Sequence, residues 1–350
     1  MRHLEFGKPW HLDGLNSTML VLQPHGASDG LSWYKGNADA VWQNLHLIEE
    51  RKPRVVLILA GDHIYKMDYR PLIEFHLASR AGVTVAVKRV NPSETSMLGT
   101  CVLDDDGRII EFEEKSANPR SNLASMGIYV FNPEILIETL TKDADNPGSN
   151  HDFGRDIIPR LVSAGKAYGY EFDGYWRDVG TIDSYFEANM DLLSADAAID
   201  LGDRDWPIIT RFEENPPAHL GDRAEIADSL VCEGAVIEGK VVQSIISPDV
   251  VVEDGAVVRN SIVMAGSRVE RGAKLNLAIV DKHCVIGADS KVGSGVDFTP
   301  NLKHPILKSG ITVIGRSTVI PPGSTIGRNC LVAGLRTEAV TVPSGACLID

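Results

Sequence analysis

The chain has 350 residues, 43% of them apolar and 23% charged, an ordinary balance for a folded protein and enough length for two hydrophobic cores. Its formal charge of −14 argues against nucleic acid as a partner, because such a binder needs a basic patch to displace counterions. A small phosphorylated ligand is still compatible, since a divalent cation can offset its charge.

The five cysteines (Cys101, Cys232, Cys284, Cys330, Cys347) are far apart and form no Cys-x-x-Cys pair, so buried thiols are expected rather than zinc or disulfides. No apolar run reaches membrane-spanning length and the first residues do not read as a signal peptide, so no membrane partner is expected and the location expected is cytoplasmic.

In chain order, Gly36 and Asn37 precede a helix carrying Val41, Leu45 and Ile48 on one face. Val55 to Asp62 is a short branched apolar run that stops at Gly61 and presents a carboxylate. It predicts a strand buried on both faces, with Asp62 at the strand end where ligands sit in open α/β sheets. Asp68 is the expected N-cap of a helix with Tyr69, Leu72, Ile73 and Leu77 on one face, and Val83 to Val90 is the next strand. Thr100 to Lys115 reads as a hairpin turning at Asp106-Gly107, and Met126 to Phe131 as another apolar strand. Thr181 caps a helix carrying Ile182, Tyr185, Phe186 and Leu193. These alternations predict an α/β domain with a mostly parallel sheet over residues 1–199, and the Pro-containing stretch 200–228 reads as a linker.

From residue 229 to 350 a six-residue beat sets in. Apolar residues fall at Leu230, Val236 and Val242, at Ile246, Val252 and Val258, and after a reset at Val263, Val269 and Leu275. The beat continues through Val280, Ile286 and Val292 and ends with Ile314, Ile320, Ile326 and Val332. Such a period predicts a parallel β-helix whose beat residues point inward. Residues 293–310, rich in Gly, Pro and Lys, read as an excursion from it.

Several local motifs resemble those of the bacterial ADP-glucose pyrophosphorylase (glucose-1-phosphate adenylyltransferase) family. Trp33 to Ala40 resembles its W-Y-R/K-G-T-A-D-A segment, with Asn37 where Thr is usual. Leu59 to Tyr65 resembles its metal-binding strand end, and Ile110 to Lys115 its sugar-phosphate segment, with Ser116 where Pro is usual. Ala124 to Tyr129, His151 to Gly154 and Tyr175 to Thr181 fit as well.

The resemblance implies a Rossmann-like nucleotidyltransferase domain followed by a left-handed parallel β-helix. It implies transfer of AMP from ATP to glucose 1-phosphate for glycogen synthesis, with Mg²⁺ as cofactor. Asp62 would be the catalytic carboxylate and, with Asp178, a metal ligand. Lys115 would neutralise the sugar phosphate. Tyr34, Gly99, Glu114, Ser125, Tyr129, Asp152, Phe153 and Trp176 would complete the sugar-phosphate site. Judged without the family, Asp62 reads equally as a turn residue, and Asp178 as a turn residue or a partner of Arg177 that only its pairing with Asp62 promotes. Lys115 then reads as a solvated strand-end lysine, and Tyr34 and Tyr129 as core aromatics. The resemblance further implies an allosteric metabolite and a homotetramer, or a homologous partner subunit.

Family members open with a strand and G-G-x-G-x-R-L, which cradles the triphosphate. Residues 1–350 contain no such run, so the first domain is expected to be N-terminally incomplete and this polypeptide alone inactive. The alternatives are a related sugar-phosphate nucleotidyltransferase using another nucleotide or sugar, a non-catalytic regulatory subunit, or, more distantly, a hexapeptide acyltransferase. The last needs a catalytic His in the β-helix, where His283 and His304 have no supporting context.

Overall fold

A computed structural model describes residues 4–14, 17–24, 33–194, 199–210, 214–335 and 337–349. The backbone divides into two compact units, Met1–Trp176 and Arg177–Asp350.

The first unit runs α1 (Asn37–Trp42), α2 (Leu45–Arg51), β1 (Val56–Leu59), β2 (His63–Tyr65), α3 (Tyr69–Ser79), β3 (Val83–Arg89), β4 (Gly99–Leu103), β5 (Ile109–Glu114), β6 (Leu123–Phe131), α4 (Pro133–Ala144), α5 (Ile158–Ser163) and β7 (Ala167–Glu171). Asp68 caps α3 as expected, its carboxylate accepting from the Arg70 N–H at 3.0 Å. The single helix expected after Asn37 is two, α1 and α2. At the break Asn44 turns its side chain back to donate to the Ala40 carbonyl at 2.8 Å, a local bond that competes with helix continuation.

The main sheet has the order β5-β4-β6-β3-β7, with β1 also on β6. Strand β6 pairs antiparallel with β1, β3 and β4, β4 pairs antiparallel with β5, and β3–β7 is parallel. The sheet is therefore mixed and mainly antiparallel among the described residues, which corrects the expectation of a mostly parallel one. An apolar run records burial on both faces but not strand direction. Strand β3 is buried from Val83 to Val87, whereas β1 is half-buried with Leu59 exposed, so the burial expected of Val55 to Asp62 is corrected too.

Strand β6 sends alternate side chains to two cores. Leu123, Tyr129 and Phe131 join the core under α4 and α5, while Met126, Ile128 and Val130 join that under α3. The expected hairpin is β4–β5, with Gly107 in the left-handed region at its turn.

The second unit begins with α6 (Ile182–Asp191), capped by Thr181, which exchanges hydrogen bonds with Ser184. Its Phe186 packs on Ile245, Ile262, Ile279 and Ile311, the outward side of the β-helix. That apolar contact explains why the division into units falls before α6 rather than after residue 199.

The β-helix consists of three parallel sheets, and its first strand is His219–Leu220, ahead of residue 229. Successive coils stack Ile246 on Val263 and Val263 on Val280, so each of these middle coils takes 17 residues (263 − 246). From Ile246 onward every beat residue is buried. In the first coil the inward residues are Ile237 and Val241, not Val236 and Val242, which are half-buried on the outer side of the same strands. Residues 293–310 do leave the coil, and Val280 stacks directly on Ile314 beyond them. Asn301 anchors this excursion by donating to the carbonyls of Asn329 and Ala346. None of the five cysteines is paired.

Candidate active site

The site grows from the ends of β4, β5 and β6 and from the turn before α5. Gly99 opens β4 directly opposite Glu114, the last residue of β5. The Glu114 carboxylate lies so close that a Cβ on Gly99 would stand 2.6 Å from Oε2, and one on Gly154 would stand 2.5 Å from the same oxygen. Two glycines from separate segments thus leave a slot that this carboxylate fills. Burial pushes the Glu114 carboxyl above the ordinary carboxylate range and the charge of Asp152 adds to this, while Lys115 and Arg155 oppose it.

Lys115 follows with φ +50°, a left-handed conformation uncommon for a non-glycine residue, and its N–H is tied to the Leu98 carbonyl at 3.1 Å. Beside it opens a cavity of about 860 Å³. Lys35, Gly36, Glu114, Lys115, Asp152 and Arg155 line it, together with residues of the connecting segment between Ala144 and His151.

Phe153 begins a wide helical turn (Phe153–Ile157) that runs into α5, and Asp152 is its N-cap, accepting from the Arg155 N–H at 2.9 Å. The preceding His151 has φ +53° and is held by a buried bond to Asp143, Nδ1 to Oδ2 at 3.0 Å. Asp143 also accepts from Ser149 at 2.8 Å and Arg160 at 3.3 Å, which braces the connecting segment from behind. Behind the carboxylates Tyr129 stacks on Phe153 with ring centroids 5.7 Å apart. Burial pushes the Tyr129 phenol up to about 12, and its bond to Ser125 opposes this. Tyr129 is therefore a neutral donor at neutral pH.

A second cluster lies around His63. Its Nδ1 is 2.8 Å from the Met126 carbonyl oxygen, and its ring meets Trp176 edge-on at 5.3 Å. Gly127 has φ +64° and faces the His63 ring, so any side chain there would be both strained and crowded. The indole N–H of buried Trp176 has no hydrogen-bond partner among the described residues, although buried polar groups normally find one. Asp62 is exposed, 3.6 Å from His63 Nε2, and Gly61 faces open space. No group of three or more His, Cys, Asp or Glu side chains among the described residues forms a metal cage.

Of the residues singled out in the sequence, Gly99, Glu114, Lys115, Ser125, Tyr129, Asp152 and Phe153 therefore form one neighbourhood. Trp176 and Asp62 stand at the His63 cluster. Tyr34 is not on the cavity wall, and its hydroxyl lies 3.4 Å from the Asn44 amide nitrogen. Asp178 belongs to the second unit, where its carboxylate accepts from the Gly180 N–H at 2.8 Å. Sequence reasoning missed Gly154, Arg155, His151 and the segment after α4. Only Gly154 and His151 carried a signal, as members of a quoted motif.

The nucleotidyl transferase family profile matches residues 2–195, and the profile of a GlmU-like C-terminal hexapeptide domain matches residues 216–314. A glucose-1-phosphate adenylyltransferase of Thermomicrobium roseum is 47% identical over 98% of this chain and 82% of its own length. Enzymes of the same name from Thermotoga maritima and Acetivibrio thermocellus are 42% and 40% identical, over 99% and 94% of this chain and 84% and 78% of theirs.

Proposed function

This chain belongs to the glucose-1-phosphate adenylyltransferase family, and from that premise we propose that it transfers AMP from ATP to glucose 1-phosphate. A phosphate oxygen of the sugar phosphate attacks the α-phosphorus in line. The new P–O bond forms as the bond to the β-phosphate oxygen breaks, and pyrophosphate leaves with the electron pair. No protein nucleophile is required, so the protein contributes position and charge.

The observation that carries this reading is the Glu114 carboxylate held between Gly99 and Gly154, with Lys115 next to it on the cavity wall. A half-buried carboxylate accepts sugar hydroxyls, and a lysine at its side offsets a phosphate dianion. Asp152 supplies a second acceptor, and the Tyr129–Phe153 pair a rigid backing. The family motif adds Trp176, whose buried indole N–H has no partner among the described residues.

Mg²⁺ typically takes one or two protein carboxylates along with substrate phosphates, and the exposed Asp62 carboxylate beside open space fits that donor count. When bound, the ion would supply charge neutralisation at the phosphates. The family motif adds Asp178 as a second ligand, and substituting each aspartate tests its role separately. The same reading makes the protein a homo-oligomer, which light scattering checks.

Pyrophosphate-dependent formation of ATP from a panel of nucleotide sugars tests the proposal on the full-length protein. ADP-glucose should be the preferred substrate. Preference for another nucleotide sugar, or no turnover of any, would overturn it.

A further inference from the structure

Asn37 stands where the family motif carries Thr, and its carboxamide makes two bonds that a single hydroxyl cannot reproduce together in the same geometry. Its Oδ1 accepts from the Phe153 N–H at 2.8 Å, and its Nδ2 donates to Asp152 Oδ2 at 3.1 Å. The orientation of the amide follows from the partners. A backbone N–H can only donate, so the oxygen must face Phe153, and the nitrogen then faces the carboxylate.

The first turn of α1 is joined to residues 150–153 at two further places. The Ala38 N–H donates to the His151 carbonyl at 2.9 Å, and a Cβ on Gly36 would lie 2.2 Å from that same oxygen. Those contacts hold backbone to backbone. Of the links from α1, the Asn37 Nδ2 bond reaches the Asp152 side chain, which lines the cavity. Asp152 Oδ1 is engaged by the Arg155 N–H at 2.9 Å. Two donors, one on each oxygen, therefore fix the plane of the carboxylate and leave lone pairs on both oxygens for a ligand.

We propose that Asn37 is a positioning residue for the sugar pocket. Its carboxamide, fixed by the Phe153 N–H, aims the Asp152 carboxylate and thereby sets which sugar 1-phosphate the pocket accepts. The proposal rests on the reading of this cavity as the sugar-phosphate site. Loss of the amide donor frees Asp152 to rotate about its side-chain torsions, and the hydroxyl it would meet loses a pre-aimed acceptor. Sites that aim polar groups at substrate hydroxyls discriminate strongly, because a misfitting sugar leaves those groups unpaired. Asn37 is itself exposed and carries no core packing, so its role is separable from folding.

The test compares Asn37→Ala, Asn37→Asp and Asn37→Thr with the unaltered full-length protein. It measures KM and kcat for ATP and for glucose, galactose, mannose and N-acetylglucosamine 1-phosphates, with Tm alongside. Asn37→Asp keeps the shape but sets a second carboxylate at bonding distance from Asp152. It should raise KM for the preferred sugar phosphate about tenfold to a hundredfold, and Asn37→Ala about tenfold. Asn37→Thr offers one oxygen to accept and donate where the amide offers two atoms, so it should fall between Ala and the parent. In the Ala variant the preference among the four sugars should narrow several-fold, with ATP KM and Tm held. Unchanged sugar KM and preference would overturn the proposal. Parallel losses for both substrates that track a fall in Tm would also overturn it, because they mark a merely structural residue. A parent that prefers a sugar other than glucose would refute the substrate reading. The Asn37 comparison, run on that sugar, would still decide this proposal.

Discussion

Replacing Gly154 by Ala tests the slot that holds Glu114. The added Cβ would lie 2.5 Å from Glu114 Oε2 and 2.9 Å from its Cδ, where ordinary contact begins near 3.4 Å, so the carboxylate must retreat by about 0.9 Å (3.4 − 2.5). Gly154 has no left-handed φ, so backbone strain does not contribute. The atom that is met is the far end of a flexible side chain. The stability cost should therefore fall below the ~1–3 kcal/mol of overpacking, and the lower entropy of an unfolded alanine chain offsets part of it. Position is another matter, since a displacement of about 1 Å in a reacting constellation costs on the order of a hundredfold in rate. Steady-state assays should show kcat/KM for glucose 1-phosphate down about thirtyfold to a hundredfold, with Tm nearly unchanged and KM for ATP little affected. Gly148→Ala is the control, because its Cβ would meet only Asn146 Oδ1 at 3.6 Å and it does not line the cavity. Full activity in Gly154→Ala would show that Glu114 has no part in binding the sugar.

Lys115→Ala should raise KM for glucose 1-phosphate roughly tenfold to a hundredfold, as loss of a charge-assisted contact of about 1.5–3 kcal/mol implies, while KM for ATP barely moves. Asp62→Asn should leave Tm intact, since the side chain is exposed, yet lower kcat by about a hundredfold; unchanged kcat would remove Asp62 from the site. Because burial raises the Glu114 pKa in the folded state, the folded protein keeps that proton at pH values where the unfolded chain has lost it. Its contribution to stability therefore declines as pH rises from the ordinary glutamate value of 4.5 through the folded pKa. Glu114→Gln should then gain stability relative to the parent between pH 4 and pH 7 in urea melts, and a relative loss would contradict this. In the β-helix, Ile286→Ala should cost about 2–5 kcal/mol as an inward core truncation, whereas outward Lys291→Ala should stay within about 0.5 kcal/mol.

The β-helix was the most legible part of the sequence, because every coil must point a branched apolar residue inward at the same place. Where two such residues are adjacent, as at Val236-Ile237 and Val241-Val242, the beat could not tell inside from outside. The structure puts Ile237 and Val241 inside. Strand direction was illegible for a related reason. Val83 to Val87 and Met126 to Phe131 advertise burial, and nothing in a buried strand states whether its neighbour runs with it or against it. The hairpin was readable because Asp106-Gly107 is a local turn signal. Around the site, residues that belong to compact motifs were found, and Glu114, Lys115 and Asp152 do share one cavity. The segment Asp145 to Asn150 was missed because turn residues have no periodicity, and their role comes from a buried Asp143–His151 bond that no spacing announces. Asn37 was visible only as an odd letter in a motif, and its meaning required the distance to Asp152.

The most direct test of the account is formation of ADP-glucose by the full-length protein from ATP and glucose 1-phosphate with Mg²⁺, measured beside Lys115→Ala. Glucose 1-phosphate should be preferred over other sugar 1-phosphates, and the substitution should weaken sugar-phosphate binding selectively. Equal use of several sugar phosphates, or turnover indifferent to Lys115, would contradict the account.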